Sequence, residues 1–223
     1  MLIPEIFERH ARLIGHECFK KLANSSALVA GIGGLGSTVA QLLARTGIGT
    51  LHLVDFDRVE ENNLNRQILY TRQDIGHYKV DVAAKRLKEI VPHIKIVPHR
   101  ERISPEFALP DVDVVVDCLD NFSDRFVLDM LAEDKNIPLV HGGVARFHGQ
   151  VTVIKYGETQ TIRDIFEEVE DKDKISVFPP LVTLVGSIEA SETIKLLCDL
   201  GPSLVGKLLL IDLLANTIDT IDL

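Results

Sequence analysis

The residues with the clearest chemical content lie in the first third of the chain. Gly31, Gly33, Gly34 and Gly36 sit in LVAGIGGLGSTVA (residues 28–40), which satisfies the spacing G-x-G-x-x-G. The stretch follows an apolar run and opens a helical pattern through Leu35, Val39, Leu42 and Leu43. Glycines so spaced let a backbone turn tightly and approach a phosphate at a helix N-terminus. Asp55 ends a second apolar run and stands where a ribose-binding carboxylate belongs. Taken alone, these residues fit a dinucleotide such as NAD. Asp57, Asn63, Arg66, Gln67 and, further on, Lys79 change that reading. A pyrophosphate carrying about two charges can be held largely by backbone N–H groups and a helix dipole. Several side-chain donors suit a more highly charged triphosphate, Arg giving bidentate geometry and Lys a point charge. A triphosphate brings Mg²⁺, which takes one or two carboxylates beside phosphate oxygens. Asp117 and Asp120, in VVVDCLDNFSDR, are the candidates, at the carboxyl end of a buried strand pattern where open α/β sheets bind ligands.

Positioning these residues requires alternating strands and helices. Strand-like runs occupy 26–31, 50–54, 94–98, 112–118 and 137–141, and helix-like runs 35–46, 77–91 and 122–135. Such alternation implies right-handed crossovers and an α/β, Rossmann-like, doubly wound sheet with a parallel N-terminal part. After Gly142 the pattern changes to strands joined by turns, so the C-terminal part of the sheet is expected to be mixed or antiparallel. The expected organisation is one domain over 1–223. It comprises a helical segment at 1–25, a nucleotide-binding part at 26–142 and a mixed-sheet part at 143–223. A crossover loop at 157–180 reads as a mobile surface segment ending in the helix-breaking pair Pro179-Pro180, with a helix resuming over 181–201.

Composition narrows the setting. A net charge of −9 over 223 residues argues against a nucleic-acid or anionic-membrane surface. No run approaches the roughly 18 apolar residues of a membrane span, so the chain reads as cytoplasmic. Cys18, Cys118 and Cys198 are too far apart for a C-x-x-C knuckle, and their odd number suits a reducing compartment. Neither a disulfide framework nor a four-cysteine zinc site is expected. Cys118 and Cys198 read as small core residues. His77, His93, His99, His141 and His148 show no ligand spacing and read as turn or surface residues.

Together GxGGLG, D-x-D followed by N-x-x-R-Q, the later Lys79 and D-C-x-D-N resemble the ThiF/MoeB/HesA family, the bacterial and archaeal relatives of ubiquitin-activating enzymes. RHARLIG resembles the family's N-terminal R-Y-x-R-Q segment, and PPLVTLVGSIEASETIKLL resembles the helix after its crossover. The resemblance implies a homodimer that uses ATP and Mg²⁺ to adenylate a carboxylate, commonly the C-terminal glycine of a ubiquitin-like sulfur carrier, releasing pyrophosphate. It places Gly31, Gly33, Gly34 and Gly36 along the nucleotide, and Asp55 on the ribose with Asp57 beside it. Asn63, Arg66, Gln67 and Lys79 fall at the phosphates, Asp120 on Mg²⁺, and Arg12 on the other protomer's ATP. Arg12, Arg66, Lys79 and Asp120 would form the catalytic set.

Departures from the pattern matter equally. The two C-x-x-C pairs that hold zinc in typical members are missing, as is the crossover cysteine that accepts an acyl or persulfide group. Any thioester would then form on a separate thiol-bearing protein. In size and in what it lacks, the chain resembles the branch that activates the pyridinol carboxylate of the guanylylpyridinol cofactor of [Fe]-hydrogenase. A small carboxylic acid and a sulfur carrier both stay open as substrates. An NAD-dependent oxidoreductase would need an acid placed against the nicotinamide, and none is found. A catalytically silent nucleotide-binding partner would not need Arg66, Lys79 and Asp120 together.

Overall fold

In Ser26–Ala30 (β1), Ala27 and Val29 join the hydrophobic cluster on one face of a sheet, while Leu28 and Ala30 join the cluster on the other. A strand buried on both faces reads as a continuous apolar run, which is how this segment looks in the sequence. The computed structural model describes residues 3–167, 169 and 175–223. Two helices, Glu8–Ile14 (α1) and His16–Asn24 (α2), precede β1. Then come Gly34–Thr46 (α3), Thr50–Val54 (β2), Lys79–Ile90 (α4), Lys95–His99 (β3), Val114–Asp117 (β4), Phe122–Asp134 (α5) and Leu139–Ala145 (β5). The chain continues through His148–Ile154 (β6), Ile162–Ile165 (α6), Pro179–Cys198 (α7), Lys207–Asp212 (β7) and Thr217–Asp222 (β8).

The eight strands lie in the order β3-β2-β1-β4-β5-β6-β7-β8. β1 to β5 pair in parallel, and β5 to β8 pair antiparallel, as the change of pattern after Gly142 implies. α3, α4 and α7 cover one face together with α2; α5 and α6 cover the other with the segment around Ile103, Phe107 and Leu109. The strand order reverses between β1 and β4, so the crevice at their carboxyl ends is the ligand-binding position for this topology.

Three expectations are corrected. Pro179 and Pro180 do not break a helix; they occupy its first positions, where a missing N–H costs nothing, and α7 begins there rather than at 181. The crossover is anchored at its start, where Thr161 caps the short helix α6 and Ile162 is fully buried. Residues 168 and 170–174 of the expected mobile segment lie outside the described residues. Cys18 and Cys198, 180 residues apart in sequence, form a disulfide between α2 and α7 with Cα atoms 5.0 Å apart. Sequence distance hid the pairing, because α2 packs against the C-terminal end of α7.

Candidate functional site

The glycine loop is wedged between three strand ends. Gly31 takes φ +83° and donates its N–H to Val54 O at 2.8 Å. A β-carbon at Gly31 would stand 2.8 Å from Cys118 O, and one at Gly36 only 1.8 Å from Gly31 O. Asp55 Oδ2 accepts the Ile32 N–H at 2.8 Å, and the buried Tyr70 hydroxyl donates to Ile32 O at 2.7 Å. Gly33 is different: a β-carbon there would meet only Gln67 Nε2, at 3.6 Å. The loop is therefore rigid at Gly31 and Gly36 and open at Gly33, directly before the N-terminus of α3. That end of a helix presents unpaired N–H groups and a positive dipole, a setting for phosphate.

Two groups of side chains flank this opening. In the first, Asp55 accepts the Asp57 N–H at 2.8 Å, and Lys79 Nζ lies 2.8 Å from Asp57 Oδ2. Burial pushes the Asp55 carboxyl up from its usual range, and Lys79 with the two backbone N–H groups pulls it partly back. Lys79 is nearly buried, so its charge is weakly screened. In the second, Arg66 lies beside Gly34, its Cγ 3.7 Å from where a β-carbon would sit, and donates Nη1 to Asn62 O and Asn65 Oδ1. Gln67 is buried beside Gly33, and its Oε1 has no hydrogen-bond partner. Asn63 is buried and accepts from the Glu60 N–H at 3.0 Å, closing a capping box around a single 3₁₀ turn. An orphaned amide oxygen, an open glycine and nearby cations fit a hydroxylated, polyanionic ligand.

Asp120 is exposed in the turn after β4, where Asn121 Nδ2 approaches its Oδ1 at 3.4 Å. Its hard carboxylate oxygens suit Mg²⁺ shared with phosphates. Among the described residues, no group of three His, Cys, Asp or Glu side chains could enclose a metal ion. Arg12 is exposed on α1 and paired with Glu8 at 3.1 Å; none of its bonds reaches the glycine loop of its own chain.

Sequence reasoning missed a buried ionic network behind Asp120. Asp117 is fully buried, with Oδ2 lying 2.9 Å from Arg125 Nη1 and 2.8 Å from His141 Nδ1. Arg125 also donates to Gly142 O at 2.8 Å and, through Nη2, to Leu119 O. His141, expected at a turn or surface, is instead wholly buried in β5. Burial, then Arg125, holds its imidazole below the ordinary value and hence neutral. Burial would raise the Asp117 carboxyl, but Arg125 and His141 overcome it and keep the group low. On the opposite side of the sheet, burial and then Asp117 push the Glu189 carboxyl well up. Its Oε1 lies 3.5 Å from Cys118 Sγ, and its Oε2 has no partner. His99 is likewise no simple surface residue: it stacks on His52, with ring centres 5.3 Å apart. The signal for the ionic network, charged residues at strand ends of a parallel sheet, was visible at Asp117. Its partners lie 8 and 24 residues away and carry no local pattern.

A glycine loop at the switch point of a parallel sheet, with flanking cations and carboxylates, defines a nucleotide-binding α/β protein. The chain belongs to the ThiF family, whose model matches residues 7–223, and it is an adenylyltransferase of that ATP-dependent family. It is 38% identical over 201 residues to the molybdopterin-synthase adenylyltransferase of Haemophilus influenzae, covering 86% of this chain and 83% of that one. It is 38% identical over 228 residues to the sulfur carrier protein adenylyltransferase of Thermus thermophilus, covering 96% and 81%. It spans only 44% of the length of the adenylyltransferase and sulfurtransferase MOCS3 of Drosophila sechellia, at 38% identity. The E. coli MccB structure with AMPCPP and MccA superimposes with a TM-score of 0.89 over 98% of this chain and 71% of that one, at 22% identity. These relatives give no support to the narrower likeness to the hydrogenase-cofactor branch. Among the described residues, no helix is long and apolar enough to cross a membrane.

Proposed function

We propose that the protein adenylates the C-terminal carboxylate of a ubiquitin-like sulfur-carrier protein. The observation that carries this reading is the likeness to the Thermus thermophilus sulfur carrier protein adenylyltransferase over 96% of the chain. The substrate carboxylate attacks the α-phosphorus of ATP, the bond to the bridging oxygen breaks, and pyrophosphate leaves with the electron pair. A carboxylate is already a nucleophile at neutral pH, so no general base is needed. Gly31, Gly33, Gly34 and Gly36 hold the triphosphate at the start of α3, and Asp55 takes the ribose hydroxyls with lone pairs not used by Ile32 and Asp57. Lys79 and Arg66 turn from their present partners to the phosphates, where they neutralise developing charge, and the Asn63 and Gln67 amides donate hydrogen bonds there. Asp120 would hold Mg²⁺, which would supply positive charge beside the phosphates. Arg12 serves the site of a second copy in a homodimer. No thiol lies between Cys118 and Cys198, so the acyl group leaves as the adenylate, and any thioester forms on another protein.

Pyrophosphate exchange into ATP tests the reading, run with Gly-Gly-terminated sulfur carriers and with small carboxylic acids. Exchange dependent on a carrier, and reduced by roughly a hundredfold or more in Asp120→Ala, is the expected result. Exchange supported by a small acid and by no carrier would transfer the activity to that substrate class.

A further inference from the structure

The Asp120 side chain is exposed, and the peptide group before it is pinned. Leu119 N donates to Asp117 Oδ1 at 3.1 Å, and Leu119 O, the carbonyl of the Leu119–Asp120 peptide, accepts from Arg125 Nη2. Both ends of residue 119 are therefore bonded to one buried ion pair, Asp117 with Arg125 at 2.9 Å. Arg125 reaches back from the first turns of α5, whose start is fixed by Asn121 accepting the Asp124 N–H at 2.8 Å. Its Nη1 meanwhile engages Asp117, Gly142 O and His141, which ties the turn to β5. A guanidinium offers five donors in a fixed planar fork that bridges these segments, whereas an ammonium is a point charge with three rotatable donors and does not reproduce that geometry.

From this geometry we infer that Arg125 is a positioning residue for metal-nucleotide binding: its guanidinium sets the Leu119–Asp120 peptide and so aims the Asp120 carboxylate at Mg²⁺. The inference rests on the reading of Asp120 as the Mg²⁺ carboxylate, and it concerns a residue that would touch neither substrate nor metal. An unaimed carboxylate must find the metal from many backbone arrangements, at a cost in affinity comparable to losing an outer-shell partner.

Calorimetric titration of the full chain with ATP, in EDTA and in Mg²⁺, provides the test for wild type, Asp120→Ala, Arg125→Lys and Arg125→Met. Arg125→Lys keeps the charge beside Asp117 and loses the fork. It should leave ATP affinity in EDTA within about twofold, while the enhancement by Mg²⁺ falls roughly 10- to 100-fold. Hydrogen exchange at the amides of residues 119–121 should quicken in the ligand-free variant. A purely structural role would lower the melting temperature and leave the ratio of the two affinities untouched. Should Arg125→Met fail to fold, Arg125→Lys decides. A folded Arg125→Lys with the wild-type Mg²⁺ enhancement overturns the inference alone, provided Asp120→Ala loses that enhancement. An undiminished enhancement in Asp120→Ala overturns the metal reading and the inference together.

Discussion

Glu189 presents a fully buried carboxyl group on the face of α7 turned to the Gly142 backbone. Desolvation makes its charged form costly, and Asp117 and Cys118 nearby offer no positive charge, although Arg125 beyond them moderates the effect. The folded protein therefore holds a proton here that the unfolded chain releases near pH 4.3. With a folded-state value above the unfolded one, stability is full below pH 4.3 and falls as pH rises towards the folded value. The slope reaches up to roughly 1.4 kcal/mol per pH unit over that interval. Glu189→Gln, which is neutral and of the same shape, should remove this dependence and be more stable than wild type at pH 8. Urea unfolding from pH 5 to 8 checks it, and parallel stability curves for the two proteins would place an ionised carboxylate at this position. Asp117 acts in the opposite direction, since its value is held low: its contribution is present above the ordinary carboxylate range and is lost on acidification.

The glycine loop is an element whose members do different jobs. Gly36→Ala would drive a methyl group into the Gly31 carbonyl, a backbone atom that cannot rotate away. It should cost about 3 kcal/mol in chemical denaturation and abolish ATP binding. Gly33, at φ −86° with open space, tolerates alanine in the fold. Gly33→Ala should melt within a few degrees of wild type yet bind ATP at least about tenfold more weakly by calorimetry, because the methyl occupies the phosphate's approach. Equal losses of stability in both variants would show that the loop serves packing alone. This division was half legible beforehand. The apolar runs marked β1 to β4 and the helical periodicity α3, α4 and α5 nearly to their ends, because the strands are largely buried and the helices are buried along one face, whereas β5 runs four residues past its expected end at 141. The glycines marked the loop, but which of them meets backbone depends on Cys118, far away in sequence. Pro179-Pro180 carried an ambiguous signal, since proline excludes a helix interior and favours a helix start equally well. His141 gave none at all, as its partners come from β4 and α5.

For the molecule as a whole, the exposed Arg12 pairs with Glu8 on its own helix. If it completes the site of a second copy, mixing inactive Arg12→Ala chains with inactive Asp120→Ala chains should restore one good site per heterodimer. Exchange activity should then approach a quarter of wild type at equal mixing, each mixed dimer holding one intact site. No recovery after verified chain exchange would remove Arg12 from the partner's site. The three cysteines are all buried, and burial keeps the Cys118 thiol well above its ordinary value, so none is set up as a nucleophile. Cys18→Ser, Cys118→Ala and Cys198→Ala combined should keep carrier-dependent exchange while losing about 2–4 kcal/mol of stability relative to the oxidised wild type. A covalent carrier adduct on the wild-type chain that vanishes with Cys18 would contradict this. The bridge between α2 and α7 also bears on how the molecule can be dismantled. A machine that unravels proteins by pulling on one end draws a single strand through its pore until it reaches a closed loop. With Cys18 and Cys198 joined, the chain between them spans roughly 600 Å when straightened and must enter as a doubled strand or not at all. Reduction opens it to threading, so the redox state of two residues outside the nucleotide site sets how readily the whole chain is cleared.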